Sequence, residues 1–301
     1  MLKQLCGVAR VNFLSLTVVC IALAATASWQ AGYSVNSSLL AWVTLVGLSA
    51  HVSVNAFNEY FDFKSGLDFL TARTPFSGGS GTLLRYPTAS NSALALAIVS
   101  LLLTIGGGLY LSYQLNWLPL VLGIPGVALI YAYTQYVNRW PLLCLLAPGL
   151  GFGVFMTLGS FWVLTGSITA TAWVLAIVML LLVSNLLLLN QFPDADADRR
   201  VGRRHLPIVI GRRRSASVYT LQLLLSYLVL LTAIAGDILP RQCLLALLSV
   251  PVALKLLPGL FRYADKPKQL TPYLGLNVLL CHLYPLLIMA GLIWAGSKAP
   301  V

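Results

Sequence analysis

Acidic residues are scarce in this chain, and most of them fall in two short windows. The 301 residues contain eight Asp and Glu, and six of these lie within residues 58–68 and 190–198. The six are Glu59, Asp62, Asp68, Asp194, Asp196 and Asp198. Carboxylates that lie close together repel one another unless a cation lies between them. The two windows are therefore the first candidates for a chemically active site.

The first window continues a polar stripe on an otherwise apolar segment. Asn58 and Asp62 are four residues apart, which places them on one face of a helix, and the same face includes His51 and Asn55. If this helix crosses a bilayer, an Asp on it costs about 2.5–3.5 kcal/mol on insertion scales, and such residues usually face a cavity. We therefore expect the stripe to line a cavity.

The second window repeats this spacing. Asn190 and Asp194 are again four residues apart, and Asp198 follows after four more. Asp196 lies about 200° around the helix from Asp194 and is expected to face elsewhere. The two Asn residues are 132 residues apart, as are the first Asp residues of the two windows. This repeat predicts a bundle of two similar halves.

The residue types in both windows suit a hard divalent cation. Carboxylate and amide oxygens without Cys or clustered His favour Mg2+, which commonly completes its coordination shell with water and substrate phosphates. Basic residues beside the windows supply further positive charge for phosphate oxygens. They are Lys64, Arg73, Arg199, Arg200, Arg203 and Arg204. The combination indicates a Mg2+ site for a diphosphate that carries an apolar tail.

The remainder of the chain has the composition of a membrane protein. Apolar residues make up 58% and charged residues 9%, and the mean hydropathy is +0.85, which excludes an ordinary soluble protein. Polar breaks separate nine apolar segments long enough to span a bilayer. They are 12–30, 38–57, 91–112, 117–136, 141–165, 170–190, 216–235, 242–258 and 273–295. We predict one all-α polytopic domain over residues 1–301, with about nine transmembrane helices in two similar four-helix halves.

Basic residues predict the orientation of this bundle. With the N-terminus in the cytoplasm, 17 of the 19 Lys and Arg lie on the cytoplasmic side, and only Arg241 and Lys298 lie outside. This asymmetry follows the positive-inside rule and predicts cytoplasmic active-site loops in a cell (inner) membrane protein. Because the basic residues lie in short loops, they do not indicate nucleic-acid binding. The sequence does not specify an oligomeric state.

The first segment has two interpretations. Lys3 and Arg10 precede an apolar run that ends in Ala25-Thr26-Ala27, a pattern similar to a signal-peptide cleavage site. The run is long for a signal peptide, which favours a retained first helix, and cleavage stays open as the alternative.

The fourth segment contributes one further candidate. Tyr131, Thr134, Gln135 and Asn138 share a face near the predicted cytoplasmic end of this helix. The ring of Tyr131 can face a cation there, which predicts a contact with substrate. Tyrosine is also common at membrane interfaces, and this is the alternative explanation.

At these motifs the sequence resembles the UbiA superfamily of intramembrane prenyltransferases. That family carries an Asn-Asp-x-x-Asp type motif after its second helix and an Asp-x-x-x-Asp motif after its sixth, as residues 58–68 and 190–198 do here. The ten-residue separation of Asn58 and Asp68 is similar to the dihydroxynaphthoate prenyltransferase branch of menaquinone synthesis.

Other elements extend the resemblance, with two departures. Residues 198–206 resemble an Asp-Arg-x-x-Gly-Lys-Arg-Thr-Leu segment, and Arg73-Thr74-Pro75 resembles a basic-Pro element. Glu59 stands where the family usually has Asp, and Phe152 stands where a Gly-Leu-Gly-acid element has its acid.

The resemblance implies a Mg2+-dependent enzyme that transfers a prenyl group from an allylic isoprenoid diphosphate to an aromatic acceptor of naphthoate or phenol type. The implied catalytic acids, which promote ionisation of the diphosphate, are Asp62, Asp68, Asp194 and Asp198. The expected Mg2+ ligands are Asn58, Glu59, Asp62, Asp68, Asn190, Asp194 and Asp198. Substrate contacts are expected from Asn58, Lys64, Arg73, Tyr131, Asn190 and Arg203.

Two other classes of membrane protein also use acidic residues. An ion-coupled transporter can be built from paired half-bundles, but its acids are expected near the midplane rather than at helix ends beside arginines. A CDP-alcohol phosphotransferase needs its acids in one contiguous motif, whereas the two windows here are 132 residues apart. The transporter is kept as the alternative function.

Overall fold

The computed structural model describes residues 2–297, and these form a bundle of helices without a β-strand. Each of the nine predicted segments corresponds to a helix. They are α1 (Ser15–Gln30), α2 (Ser37–Lys64), α3 (Ser90–Gln114), α4 (Pro119–Gln135), α5 (Pro141–Thr165), α6 (Ala170–Arg200), α7 (Arg212–Ala235), α8 (Arg241–Tyr263) and α9 (Pro267–Gly296). In this part of the chain, eight of them are long and apolar enough to cross a membrane, and α4 is a shorter apolar helix. The predicted all-α polytopic membrane fold is confirmed.

Helix α2 extends past Asp62, and α6 extends through the second acidic window, so both continue beyond the predicted segment ends at 57 and 190. The Asn36 side chain caps α2 by accepting hydrogen bonds from the backbone N–H groups of Ser38 and Leu39, at 2.8 and 3.1 Å. The helix ends just before Gly66, and α6 ends just before Gly202, both with positive φ angles that favour glycine. Five of the six acidic side chains are therefore carried by α2 and α6, and Asp68 lies on the short helix Leu67–Leu70 that follows Gly66.

Alternate helix connections meet at opposite ends of the bundle. At one end, the backbone N–H of Arg204, after α6, donates to the carbonyl of Asn138, after α4, at 2.9 Å. Arg10, before α1, contacts α2 at this same end. At the opposite end, the hydroxyls of Tyr33 and Ser167 are 3.0 Å apart and join the α1–α2 and α5–α6 connections. Successive helices therefore alternate in direction, and the N-terminal segment lies at the end that holds both acidic windows.

Two predictions about the bundle are not tested by these contacts. Lys298, which was predicted to lie on the outer side, is outside the described residues. The similarity of the two halves stays a prediction.

Helix α6 lies at the centre of the main core, surrounded by α1, α5, α7 and α9. Helix α5 approaches it closely at two glycines. A Cβ atom on Gly149 would lie 2.3 Å from the carbonyl oxygen of Leu180, and one on Gly153 would lie 2.3 Å from that of Ala176. The segment Leu150–Leu158 between α5's two α-helical ends is a π-helix, a form often found at functional sites.

We expect Gly153→Ala to lower the melting temperature of the detergent-solubilised protein. The added methyl group has no space against the α6 backbone, and overpacking of this kind costs about 1–3 kcal/mol. Gly106→Ala is the matched control, because its added Cβ would meet no atom of another helix or loop within 4 Å among residues 2–297, and alanine favours a helix. Equal melting temperatures for the two variants would show that the close α5–α6 contact does not stabilise the fold.

Candidate active site

The two acidic windows meet around a small polar cavity of about 130 Å3 at one end of the bundle. Most of the predicted site residues line it. They are Asn58, Asp62, Asp68, Asn190, Asp194, Asp198 and Arg203. The helical spacing within each window and the antiparallel path of the chain therefore bring two distant segments into one site.

Arg203 joins the two windows directly. Its guanidinium forms an ion pair with Asp62 and another with Asp198, where Nη1 and Oδ1 are 3.1 Å apart. Burial lowers the pKa of Arg203, but the charges of Asp62 and Asp198 outweigh that effect and raise it. His205 Nε2 lies 2.8 Å from the other carboxylate oxygen of Asp198. The guanidinium thus lies between the windows, where the sequence predicts a cation.

Several oxygens in the cavity wall have no hydrogen-bond partner among the described residues, 2–297. The buried atoms Oδ2 of Asp68, Oδ1 of Asn190 and Oδ1 of Asp194 are all unpaired, and a buried polar group without a partner costs about 1–3 kcal/mol. Burial, followed by the charges of Asp62 and Glu59, raises the pKa of Asp68 to about 7. Unpaired hard oxygens beside excess negative charge fit a hydrated Mg2+ ion.

The arrangement does not form a compact three-carboxylate cage. Among residues 2–297, no group of three or more His, Cys, Asp or Glu side chains lies close enough to hold one ion. The Arg203 guanidinium separates Asp62 from Asp198, which explains this spacing. The donors therefore suit an ion whose shell is completed by water and phosphate oxygens, as Mg2+ commonly requires.

Glu59 lies outside this cavity, contrary to its predicted role as a metal ligand. Its Oε1 accepts hydrogen bonds from Arg10 Nε and from the Ser80 backbone N–H, both at 2.7 Å. Its Oε2 accepts from Ser80 Oγ at 2.6 Å. Both oxygens of this fully buried side chain are already engaged, so the structure does not present Glu59 to an ion.

Arg10 is a site residue that the sequence reasoning missed. It lines the small cavity. Burial lowers the pKa of its guanidinium, but the negative charges of Glu59, Asp62 and Asp68 outweigh this effect and raise that pKa. In the sequence this arginine is indistinguishable from an ordinary positive charge before a first transmembrane helix. Only the packing of the N-terminal segment against α2 reveals its position.

Two predicted basic substrate contacts are also absent from the cavity. The Lys64 ammonium is on the surface, 5.7 Å from the ring centre of Tyr60. Arg73 is exposed, and its Nη1 donates to the carbonyl of Ser80 at 3.0 Å. The structure therefore gives Arg73 a role within its own loop. Asp196 faces away from the site, as predicted, and pairs with Arg212 at 2.8 Å.

The glycine-rich loop after α2 covers the small cavity. Phe76, Ser77, Gly78 and Gly79 all line it. The Gly78 backbone N–H donates to Asp194 Oδ2 at 3.1 Å, which connects this loop to the second acidic window. The positive φ angles of Gly78 and Gly79 favour glycine at both positions.

The tyrosine that faces the site is Tyr133 rather than the predicted Tyr131. Tyr131 is 45% exposed, and its ring packs edge-on to Phe57 and Phe61, with centroids 5.7 and 6.0 Å away. Tyr133 lines the small cavity together with Thr134. Thr134, from the predicted polar face of α4, lines the cavity, and the aromatic residue beside the acids is Tyr133, the position just before Thr134.

A second, much larger cavity of about 640 Å3 lies next to the first. The two share the wall formed by Arg10, Asn58, Phe76, Tyr133, Leu187 and Asn190. Most of the remaining lining is apolar, including Leu16, Phe155 and Trp162. His51, Asn55 and Asn58 line this cavity, so the predicted polar stripe does face an internal space, and His51 Nδ1 is hydrogen-bonded to Thr17 Oγ1 at 2.8 Å. The site as a whole suits a ligand with a charged head and a long apolar body.

Comparison with known proteins agrees with this geometry. The sequence profile of the UbiA prenyltransferase family matches residues 16–292. The chain is 27% identical over 214 residues to 1,4-dihydroxy-2-naphthoate octaprenyltransferase of Bacillus subtilis (strain 168). The match covers 69% of this chain and 66% of that relative, just under two thirds of its length.

Solved structures share the same fold. An apo UbiA homologue from Aeropyrum pernix K1 has a TM-score of 0.71 at 17% identity, covering 93% of this chain and 98% of that one. A UbiA homologue from Archaeoglobus fulgidus bound to DMAPP and Mg2+ has a TM-score of 0.60 at 12% identity, covering 98% of this chain and 100% of that one.

We expect Arg203→Ala to lower the melting temperature in EDTA, because Asp62 and Asp198 lose the charge between them. Removing one partner of a buried ion pair costs about 3–5 kcal/mol, and the partial exposure of this pair favours the lower end. Arg213→Ala is the control, since its pair with Asp265 is 3.5 Å long and its side chain is 80% exposed. Equal losses for the two variants would contradict the bridging role of Arg203.

Added Mg2+ is expected to raise the melting temperature of Arg203→Ala more than that of the wild type. The variant leaves two further carboxylates free to bind the ion, and a ligand that binds only the folded state stabilises it. A thermal titration with MgCl2, and with KCl at equal ionic strength, checks this. A response to both salts alike would show charge screening instead of a Mg2+ site.

Proposed function

The chain belongs to the UbiA prenyltransferase family, and from this premise we propose that it transfers a prenyl group from an allylic isoprenoid diphosphate to an aromatic acceptor. One observation carries the proposal: a polar cavity with unpaired carboxylate oxygens shares a wall with a large apolar cavity. A prenyl diphosphate has the matching shape, with two phosphates at one end and a hydrocarbon chain at the other.

The diphosphate end of the substrate belongs in the small cavity. Asp62, Asp68, Asp194 and Asp198, with Asn58 and Asn190, would hold Mg2+ there. Bound Mg2+ would neutralise negative charge that develops on the leaving diphosphate as the allylic C–O bond breaks. The UbiA homologue of known structure that binds DMAPP and Mg2+ supports this pairing of ligands.

The protein's own cations complete the neutralisation. Arg203 and Arg10 both line the small cavity, where their guanidinium groups can donate hydrogen bonds to phosphate oxygens. Arg203 uses one donor of each terminal nitrogen for Asp62 and Asp198, and a guanidinium has five donors, so others remain for phosphate oxygens. Glu59, Lys64 and Arg73 have no direct part in the proposed site.

The allylic cation that forms must be protected and then captured. Tyr133 lies in the wall shared by the two cavities, where its ring can stabilise positive charge. Phe76 and the adjoining loop cover the polar cavity and exclude water, which would otherwise quench the cation. The acceptor then attacks through an electron-rich ring carbon, forms a C–C bond and loses a proton from that carbon.

An acceptor of the naphthoate or phenol type is supported by the relative in Bacillus subtilis, which is a 1,4-dihydroxy-2-naphthoate octaprenyltransferase. Such an acceptor places the reaction in quinone or related lipid synthesis. The ten-residue separation of Asn58 and Asp68 in the first motif supports the same branch of the family.

The active-site end of the bundle is proposed to face the cytoplasm of a cell (inner) membrane. The asymmetry of Lys and Arg in the sequence supports this orientation. The ion-coupled transporter is disfavoured, because the acids lie at the ends of α2 and α6 rather than in the middle of their spans.

Asp194→Asn is expected to reduce Mg2+-dependent diphosphate release by at least about 100-fold, by analogy with the loss of other transition-state stabilising groups. Asp196→Asn is a matched control on the same helix, since Asp196 is paired with Arg212 outside both cavities. Labelled prenyl diphosphate, an aromatic acceptor and either MgCl2 or EDTA provide the assay. If both variants retain wild-type release, the assignment of Asp194 is wrong.

Replacing Tyr133 tests the tyrosine assignment. Loss of a desolvated cation–π contact of about 2 kcal/mol lowers kcat by about thirty-fold, so Tyr133→Ala should show this fall. Tyr133→Phe keeps the ring and should retain most of the rate, and Tyr131→Ala should leave the rate near that of the wild type. A larger effect at Tyr131 than at Tyr133 would support the assignment made from sequence.

A further inference from the structure

Three donors form hydrogen bonds with the Glu59 carboxylate, whereas a carboxylate that binds a metal ion keeps an oxygen free for it. Ser80 donates to both of its oxygens, through the backbone N–H at 2.7 Å and through Oγ at 2.6 Å. Arg10 donates to Oε1 at 2.7 Å and supplies the opposite charge. Hydrogen bonds of this kind, to an ionised group, are among the stronger ones in proteins.

The same short loop is attached at other points around the cavity. Gly78 donates its backbone N–H to Asp194, and Arg73 binds the carbonyl of Ser80 from the outer side. A Cβ on Gly79 would lie 3.1 Å from Asp68 Oδ1 and 3.4 Å from Glu59 Oε1. The loop backbone therefore lies directly against the acidic residues, with Glu59 as the anchor that is not itself in the cavity wall.

From these contacts we infer that Glu59 is a positioning residue that holds the loop 76–81 closed over the diphosphate pocket, with Arg10 as its counter-ion. This inference rests on the proposed function. The closed loop keeps water from the allylic cation, so its anchor sets the ratio of transfer to hydrolysis. In hydrolysis, a water oxygen forms the new C–O bond and releases a proton to solvent, which gives the prenyl alcohol.

The length of the glutamate side chain accounts for its presence at this position. Its carboxylate extends past the cavity wall to a backbone N–H and a hydroxyl 21 residues away, and to a guanidinium 49 residues away. A ligand of the ion would instead have an oxygen facing the small cavity, as Asp68 and Asp194 do.

Hydrogen–deuterium exchange of the full-length protein in EDTA tests the anchor without turnover. We expect Glu59→Gln and Ser80→Ala each to speed exchange in a peptide covering residues 77–81 by about ten-fold or more, the effect of losing a charge-assisted hydrogen bond. Ser65→Ala is the control, because Ser65 is exposed and its hydroxyl donates to the Asp62 carbonyl of its own helix. Unchanged exchange in Glu59→Gln and Ser80→Ala, with melting temperatures near wild type, would overturn the inference.

The product ratio is the second measurement, made with labelled prenyl diphosphate and a naphthoate acceptor. Glu59→Gln and Ser80→Ala should both raise the ratio of prenyl alcohol to prenylated acceptor several-fold. If Glu59→Gln alone acts, and it does so by raising the Mg2+ concentration for half-maximal diphosphate release, Glu59 is a metal ligand and the inference fails. Absence of diphosphate release in the wild type would overturn the proposed function, while the exchange result would still decide whether Glu59 anchors the loop.

Discussion

The structure depends on the repulsion between carboxylates that are crowded at one end of an apolar bundle. Four aspartates line a cavity of about 130 Å3, and a buried glutamate lies just behind its wall. Arg10 and Arg203 reach this cluster, and each of them is already paired with an acid. The remaining negative charge, together with oxygens on Asp68 and Asp194 that have no partner among residues 2–297, suits the site to additional cations and, through them, to phosphate oxygens.

Around this cluster the chain forms a polar cavity and an apolar cavity that lie next to each other. Asn58, Asn190 and Tyr133 belong to both cavities, so the boundary between the charged head and the hydrocarbon tail of a ligand falls at these residues. The C–O bond that breaks in prenyl transfer lies at the same boundary in the substrate. The close contact of α5 with α6 at Gly149 and Gly153 fixes one wall of the apolar cavity relative to the acids.

Much of this arrangement follows from local spacing in the sequence. The four-residue periodicity of Asn58, Asp62, Asn190 and Asp194 predicts which faces are polar, and the apolar lengths predict the helices that carry them. Features that depend on distant contacts could not be predicted in this way. Glu59 looks like a metal ligand in its window, but its partners are 21 and 49 residues away in the chain. The structure places Tyr133 and not Tyr131 in the cavity wall, because residues that share a polar helical face with Thr134 do not all point into the site.

We propose that the joined cavities catalyse transfer of a prenyl group to an aromatic ring. The most direct measurement is mass spectrometry of the products formed by the purified protein from an allylic prenyl diphosphate and a dihydroxynaphthoate acceptor. We expect a prenylated aromatic product and one diphosphate released per transfer, both dependent on Mg2+. The proposed function is wrong if naphthoate and phenol acceptors all remain unmodified while the folded protein binds the prenyl diphosphate, or if product forms equally well in EDTA.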